Sequence, residues 1–332
     1  TPDRLGDRAA LMKSLDAGSE TLAAHFKAQP DTNLADAAYT LQVGRQAMQL
    51  RRVVVADSTA DAASALVDAQ RVITETAADT PRSVAFMFAG GGAQHPNMGR
   101  GLYDSEPVYR HAVDECLAIL QSRLKLDLKP LLFPAAGQEE VAAEQLQRPS
   151  LALPALLATQ YAQAKLWQSW GVEPNAMIGH SMGEYTAAHL AGVFSLADAL
   201  TLVELRGRLF ETLPEGAMLS VPLPEAELLP RLTADLSIGV INGPRLCVAS
   251  GPVASIEALQ QRLAEMEIDA ARVRINVAAH SPMLEPILAE FHAFLRGITM
   301  RAPTIALISN FSGKPITAAE ATSPDYWVRH LR

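Results

Sequence analysis

Gly179-His180-Ser181-Met182-Gly183 stands between a short apolar segment, Ala176 to Ile178, and a helix-like stretch from Glu184 to Ala191 that Gly192 ends. A serine flanked by glycines on a turn from strand to helix is the nucleophile-elbow pattern, in which the missing side chains permit a turn tight enough to expose the hydroxyl above a sheet edge. The helix start behind it favours negative charge developing there. A second apolar run, Val84 to Phe88, shows no alternation and reads as a central parallel strand covered on both faces. It leads straight into Gly90, Gly91 and Gly92. These two strands and their loops confine the chain to an α/β fold.

The rest of the chain falls around that body. Ser195-x-x-Asp198 resembles a capping box and opens a helix with Leu196, Leu200 and Val203 on one face and Arg206 nearer the other. Between Ala217 and Val277 the pattern predicts strand 217–222, helix 224–232, strands 236–242 and 245–250, helix 254–266 and strand 270–277. That β-α-β-β-α-β order is a ferredoxin-like unit, inserted into an α/β-hydrolase-like body. The crevice between the two is the natural ligand site. The first 80 residues, Ala-rich and charged, predict helices over 7–27, 33–42 and 60–70 and a strand over 51–57. A polar, Pro-containing connector over 75–83 ends them. The expected domains are 1–80, a small α+β linker domain; 81–213 with 278–332, the large body; and 214–277, the small insert.

With 49% hydrophobic residues in 332, the chain can bury a large core, and its net charge of −8 argues against a nucleic-acid partner. Any anionic ligand must be held by a few placed groups. Cys116 and Cys247, each inside an apolar stretch, read as core residues of a reducing compartment, and no metal site is expected. No apolar run approaches the length of a bilayer span, and the first residues lack the layout of a signal peptide, so a cytoplasmic protein without a membrane partner is expected. Lacking an initiating Met and stopping at YWVRHLR, the chain is expected to be a piece of a longer polypeptide.

A serine hydroxyl attacks well only when a base takes its proton, which calls for a histidine within reach of Ser181. Of eight histidines, His25, His111 and His292 lie within predicted helices and His189 just behind the elbow, positions that suit structural roles. His95 follows the glycine loop and could line the site without doing chemistry. His280, in Val-Ala-Ala-His-Ser-Pro, leaves the last strand of the insert on a loop into the crevice and is the expected base. The imidazole needs a carboxylate or a backbone carbonyl to hold its tautomer. Asp198 and Asp235 lie between Ser181 and His280, but neither has a distinctive setting. Backbone N–H groups of Gly91 and Met182 are the candidate oxyanion donors, the alternative for Gly90 to Gly92 being a plain tight turn. Arg206, two turns into an apolar helix, suits a carboxylate ligand if it is buried; the alternative is a solvated side chain beside Arg208.

These blocks together resemble one family, the acyltransferase domains of modular polyketide synthases and the related malonyl-CoA:acyl-carrier-protein transacylases. FMFAGGGAQHPNMGRGLY resembles its glycine-rich block, GHSMGEYTAAHLAGVFSLADAL its nucleophile block, LVELRGRLF its arginine block, EGAML and INGPRLCVASG its small subdomain, and VAAHSPML its histidine block. LADAAYTLQVGR resembles the linker that joins a ketosynthase to its acyltransferase, and YWVRHLR the exit segment.

The resemblance implies that Ser181 is acylated, His280 is its base, Arg206 clamps the free carboxylate of an extender unit, and Gly91 and Met182 form the oxyanion hole. It further implies that a backbone carbonyl, that of His330, orients His280, and that Gln94 and Asn242 support the site. Gly91 stands where many relatives carry Gln. The selectivity residues Val277, Ala278 and Ala279 precede His280 where relatives read HAFH for malonyl and YASH for methylmalonyl. Small Ala279 removes the steric block that Phe would impose, whereas the nucleophile block looks malonyl-like.

The implied reaction is a ping-pong transfer of malonyl, or of methylmalonyl or a larger C2-substituted unit, from coenzyme A to the phosphopantetheine thiol of an acyl carrier protein, with no permanently bound cofactor. The ketosynthase of the same polypeptide is a further implied partner. An esterase or thioesterase shares the elbow and the histidine but leaves Arg206 and the insert unexplained. A non-catalytic docking module leaves the Ser181 and His280 pair unexplained.

Overall fold

The computed structural model describes the chain apart from Thr1, Asp79, Pro81 and Arg274, and describes residues 2–7 by their backbone alone. Two compact units result, Thr1–Arg82 and Ser83–Arg332. In the first, helix Pro2–Ala28 and helix Thr59–Ala65 close a small core of Ala23, Phe26, Ala62, Ala63 and Leu66. Asn33 caps helix Leu34–Val43 through the N–H groups of Ala35 and Asp36. β1 (Leu50–Val53) pairs antiparallel with β2 (Ile73–Thr76).

Three expectations for this unit change. The strand expected over 51–57 is shorter, and an unexpected β2 begins at Ile73 and runs into the first two residues of the connector, because its residues are largely exposed and carry no burial periodicity. Asp79 and Pro81 of that connector lie outside the described residues. The helix expected over 60–70 stops at Ala65, where Asp68 turns the chain by accepting the Gln70 N–H at 2.8 Å.

The second unit holds β3 (Ala85–Phe88), β4 (Ala176–Gly179), β5 (Gly216–Val221), β6 (Ser237–Gly243), β7 (Leu246–Pro252), β8 (Ala271–Arg272) and β9 (Ala306–Ile308). β3, β4 and β9 form a parallel sheet in that order, so β4, which carries the elbow, is the central strand. The central place expected for Val84 to Phe88 is therefore corrected. β3 lies at the edge and Met87 is 79% exposed, because an unbroken apolar run signals hydrophobicity on both faces without showing what covers them.

Helices Pro107–Leu124, Pro149–Ser169 and Leu196–Phe210 supply most of the core, with Tyr109, Leu120, Leu157, Leu200 and Val203 buried. Helix Leu196–Phe210 comes so close to the start of Pro149–Ser169 that a Cβ on Gly207 would lie 2.3 Å from the Pro149 carbonyl oxygen. Gly207→Ala is expected to destabilise the fold by about 1–3 kcal/mol, since backbone must give way; thermal unfolding of the purified domain reads it as a lowered Tm.

The small antiparallel sheet runs β6-β7-β5-β8, the strand order of a ferredoxin-like unit. Alternation divides its faces. Ala217, Leu219, Val221, Cys247 and Ala249 pack with Ile256, Leu259 and Leu263 of helix Val253–Glu265, whereas Met218 and Val248 face the other way. The helix expected over 224–232 is one turn, Glu225–Leu228, continued by a 3-10 turn because Pro230 has no N–H to extend it. The strand expected over 270–277, in which Arg274 lies outside the described residues, is ordered as strand at Ala271–Arg272. Val273 and Asn276 still hydrogen-bond β5 at Met218 and Gly216, and Val277 to His280 follow towards the elbow.

Candidate active site

Ligands in parallel α/β sheets bind beyond the carboxyl ends of the strands. Here three such ends converge: β3 leads to the Gly90–Gly92 loop, β4 to Ser181, and β9 to Ser309 and Asn310. Ser181 adopts a left-handed φ of 49°, uncommon for a residue with a side chain. The elbow closes because Cβ atoms at Gly179 and Gly183 would come within 2.0 Å of the Glu184 nitrogen and 2.3 Å of the Phe88 oxygen respectively.

The Ser181 Oγ lies 2.8 Å from His280 Nε2 and 2.9 Å from Arg206 Nη2. The structure thus gathers the hydroxyl, the imidazole and the guanidinium at one point. His280 also has a left-handed φ, 58°, and its loop is held by Ser250 Oγ donating to the Ala279 carbonyl at 2.6 Å and Ser281 Oγ donating to that of Ala278 at 2.7 Å. Backbone of Leu331, and secondarily of His330, favours the charged form of the imidazole, so the influence expected from His330 is shared with its neighbour. Asp198 bonds Ser195 and Asp235 bonds Ser255, and neither lines the cavity. Burial, reinforced by the Arg206 charge, pushes the His280 imidazole down to about 3. A neutral ring whose Nε2 lies 2.8 Å from the hydroxyl can accept the serine proton there.

Arg206 is 2% exposed, so the solvated alternative is excluded. Its guanidinium lies 5.5 Å from the Tyr185 ring centre and 5.2 Å from that of Phe210, and among the described residues Nε and Nη1 have no hydrogen-bond partner. A buried cation with spare donors on a planar fork is a receptor for a carboxylate.

A cavity of about 790 Å³ opens over these groups, lined by Gly91, Met182, Arg206, Val277 and Ala279 and walled by Met218 and Val248 of the small sheet. Among the described residues the N–H groups of Gly91 and Met182 donate to nothing. The neighbouring N–H groups are occupied, Gly92 by Gln94 Oε1 at 2.8 Å and Ser181 by Asn310 Oδ1 at 2.6 Å. Gln94 also donates to the Leu146 carbonyl, which fixes the glycine loop from the side. Asn242 Oδ1 lies 2.9 Å from His180 Nε2 and joins the small sheet to the elbow.

Not every expected residue reaches the site. Ala278 does not line the cavity; it packs where a side chain on Gly216 would otherwise sit, because successive residues of an extended segment point in opposite directions. The His330 side chain is buried behind the site, 3.4 Å from Glu184 and from Tyr185 Oη, and burial keeps it neutral. His95 lines no part of the cavity, and His189 is pinned to the Phe194 carbonyl.

Sequence reasoning passed over Asn310 and Glu184. Asn310 bonds the Ser181 N–H and the Gly179 carbonyl, and its own N–H is accepted by Glu184 at 2.6 Å. The available signal was a polar Ser-Asn pair directly after an apolar strand.

Known proteins resemble this chain over nearly all of its length. Residues 85–332 match the family described as acyl transferase domain, and residues 9–66 that described as CurL-like, PKS C-terminal. The spectinabilin polyketide synthase system protein NorB of Streptomyces orinoci is 36% identical over 337 residues, 98% of this chain and 15% of that protein, so the chain spans less than a fifth of that relative's length. The acyl transferase domain of ZmaA superposes with a TM-score of 0.89 at 41% identity, over 97% of this chain and 75% of that one. That of SpnD, solved in complex with 2-(pent-4-yn-1-yl)malonyl, gives 0.84 at 37% identity over 96% of this chain and 76% of that one. The acyltransferase domain from the second module of the salinomycin polyketide synthase gives 0.77 at 39% identity over 91% and 71%. With an elbow serine, a neutral histidine and an unpaired arginine meeting in one cavity, and a polyketide-synthase linker segment ahead of them, the chain belongs to the acyltransferase domains of modular polyketide synthases.

Proposed function

We propose that this domain transfers a carboxylated acyl group, malonyl in the first instance, from coenzyme A to the phosphopantetheine thiol of an acyl carrier protein through an ester on Ser181. His280 Nε2 takes the hydroxyl proton as Oγ attacks the thioester carbonyl, and the N–H groups of Gly91 and Met182 hold the oxyanion. Collapse breaks the C–S bond, and the coenzyme A thiolate leaves with the proton from His280. The carrier thiol then gives its proton to His280 and attacks the ester, and Ser181 Oγ recovers its proton. No resident cofactor enters these steps.

One observation carries the reading: the buried Arg206 fork beside Ser181, whose spare donors call for an anion in the cavity. An esterase has no use for that charge. The large body, 81–213 with 278–332, supplies the dyad and the arginine, and the insert, 214–277, supplies the opposite wall. The segment 1–80 joins the domain to a ketosynthase of the same polypeptide. Incubation with malonyl-CoA adds a malonyl mass at Ser181 and none to Ser181→Ala; free malonate released as fast as carrier protein is loaded defeats the reading.

A second reading, a C2-substituted malonyl unit, is favoured by small Ala279 beside apolar Met218 and Val248, and a relative, SpnD, was solved with such a group. Competition among malonyl-, methylmalonyl- and larger branched-CoA, read as mass shifts on the intact protein, separates the two. Ala279→Phe is expected to cut loading of methylmalonyl at least about 10-fold while malonyl loading changes little, since one methyl group in an apolar pocket is worth about 1–3 kcal/mol.

A further inference from the structure

Resting on the reading of Ser181 as the nucleophile, we propose that Asn310 is a positioning residue that holds the strained elbow in its attacking geometry, with Glu184 as its anchor. The side chain of Asn310 spans the turn: Oδ1 accepts the Ser181 N–H at 2.6 Å, and Nδ2 donates to the Gly179 carbonyl. The amide thereby bridges His180, tying the N–H that enters the left-handed residue to the carbonyl two positions before it.

Ser181 in that conformation, φ 49°, is strained, and such strain persists only where the surroundings over-determine it. Two consequences follow for the chemistry. The Ser181 N–H is removed from competition as an oxyanion donor, and the Met182 N–H is left facing the cavity.

Glu184 explains why the amide stays in place. Its carboxyl is 0% exposed, accepts the Asn310 N–H at 2.6 Å, and receives the Tyr326 hydroxyl, whose oxygen in turn accepts from Ser309 Oγ at 2.7 Å. No arginine or lysine pairs with it among the described residues. A buried carboxyl kept without a cation, one residue past the Gly183 of the elbow, serves as an acceptor for the loop that follows β9. It acts through Asn310 and hydrogen-bonds neither the Ser181 hydroxyl nor the His280 imidazole.

The test measures Asn310→Ala, Asn310→Asp and Glu184→Gln in malonyl loading and in reaction with a serine-directed fluorophosphonate, alongside Tm. Loss of the tie is expected to slow both reactions of Asn310→Ala about 100-fold, the penalty for a misplaced reacting atom, with KM for malonyl-CoA unchanged. Asn310→Asp keeps the acceptor for Ser181 and loses the donor to Gly179, and falls between. Glu184→Gln keeps an acceptor and retains most of the rate.

A folded Asn310→Ala that reacts with the fluorophosphonate at the parent rate overturns the proposal, as does a defect confined to KM or one that tracks Tm across the three variants. Failure of the parent protein itself to label at Ser181 sinks instead the underlying assignment of the nucleophile.

Discussion

His280→Ala is expected to slow acylation of Ser181 by about 10²- to 10⁴-fold, the range for loss of a positioned general base. The 2.8 Å contact between Nε2 and Oγ is already in place, so the loss falls on the chemical step and leaves binding of the acyl-CoA near the parent level. Stopped reactions followed by intact mass give the rate directly. The pH profile adds a second readout. An imidazole pushed down to about 3 is neutral throughout the range in which the protein is assayed. Loading should therefore show no His280 titration between pH 5 and 8, and an acid limb centred near 6.5 would mean that the ring is hydrated.

The same shift has a cost in stability, and its sign is fixed by which state binds the proton. Below pH 6.5 the unfolded chain protonates its histidines while burial keeps folded His280 and His330 neutral, so both groups make stability fall as pH drops below about 6.5, His280 doing so until about 3. Glu184 works in the opposite sense. Burial raises its carboxyl to about 7, so between its ordinary value of 4.5 and 7 the folded state holds a proton that the unfolded state has released, and stability from this group declines as pH rises through that window. The opposing slopes place the site's best compromise in the mildly acidic to neutral range.

How far the sequence reveals all this depends on whether a feature is local. The elbow was legible because Gly179, Ser181 and Gly183 must be what they are for a strand to turn into a helix, and that demand is met within five residues. The ferredoxin-like order was legible because short apolar runs and helix-like stretches follow one another as β-α-β-β-α-β between Ala217 and Val277, although β5 itself is buried on both faces and carries no alternation of burial. The edge position of β3 was not, since it depends on β9 pairing with the far side of β4, more than two hundred residues away. Arg206 shows the same limit from another side. Helical spacing placed it off the apolar stripe of Leu196, Leu200 and Val203, yet helix Leu196–Phe210 is enclosed widely enough to bury that flank too. Asn310 and Glu184 stayed hidden because their meaning is a mutual contact across 126 positions, without any periodicity to announce it.

Arg206 then supplies the sharpest contrast between stability and function. Arg206→Met keeps most of the volume and removes a buried cation whose Nε and Nη1 have no partner among the described residues. Replacing such a charge by a packed apolar group is expected to stabilise the unliganded domain by about 1–3 kcal/mol, which raises Tm by a few degrees at this size. Burial already holds the guanidinium below its usual pKa, a sign of the same penalty. Loading of malonyl must move the other way. Each charged hydrogen bond to the substrate carboxylate is worth about 1.5–3 kcal/mol, so losing two is expected to lower kcat/KM for malonyl-CoA by roughly 10²- to 10⁴-fold. Acetyl or propionyl loading, which strands no carboxylate, should hold or increase. A rise in Tm together with a switch from dicarboxylic to monocarboxylic units identifies the arginine as a receptor whose cost is met by the substrate; equal loading of acetyl and malonyl by the unmodified protein, or a fall in Tm with unchanged preference, removes it from that role.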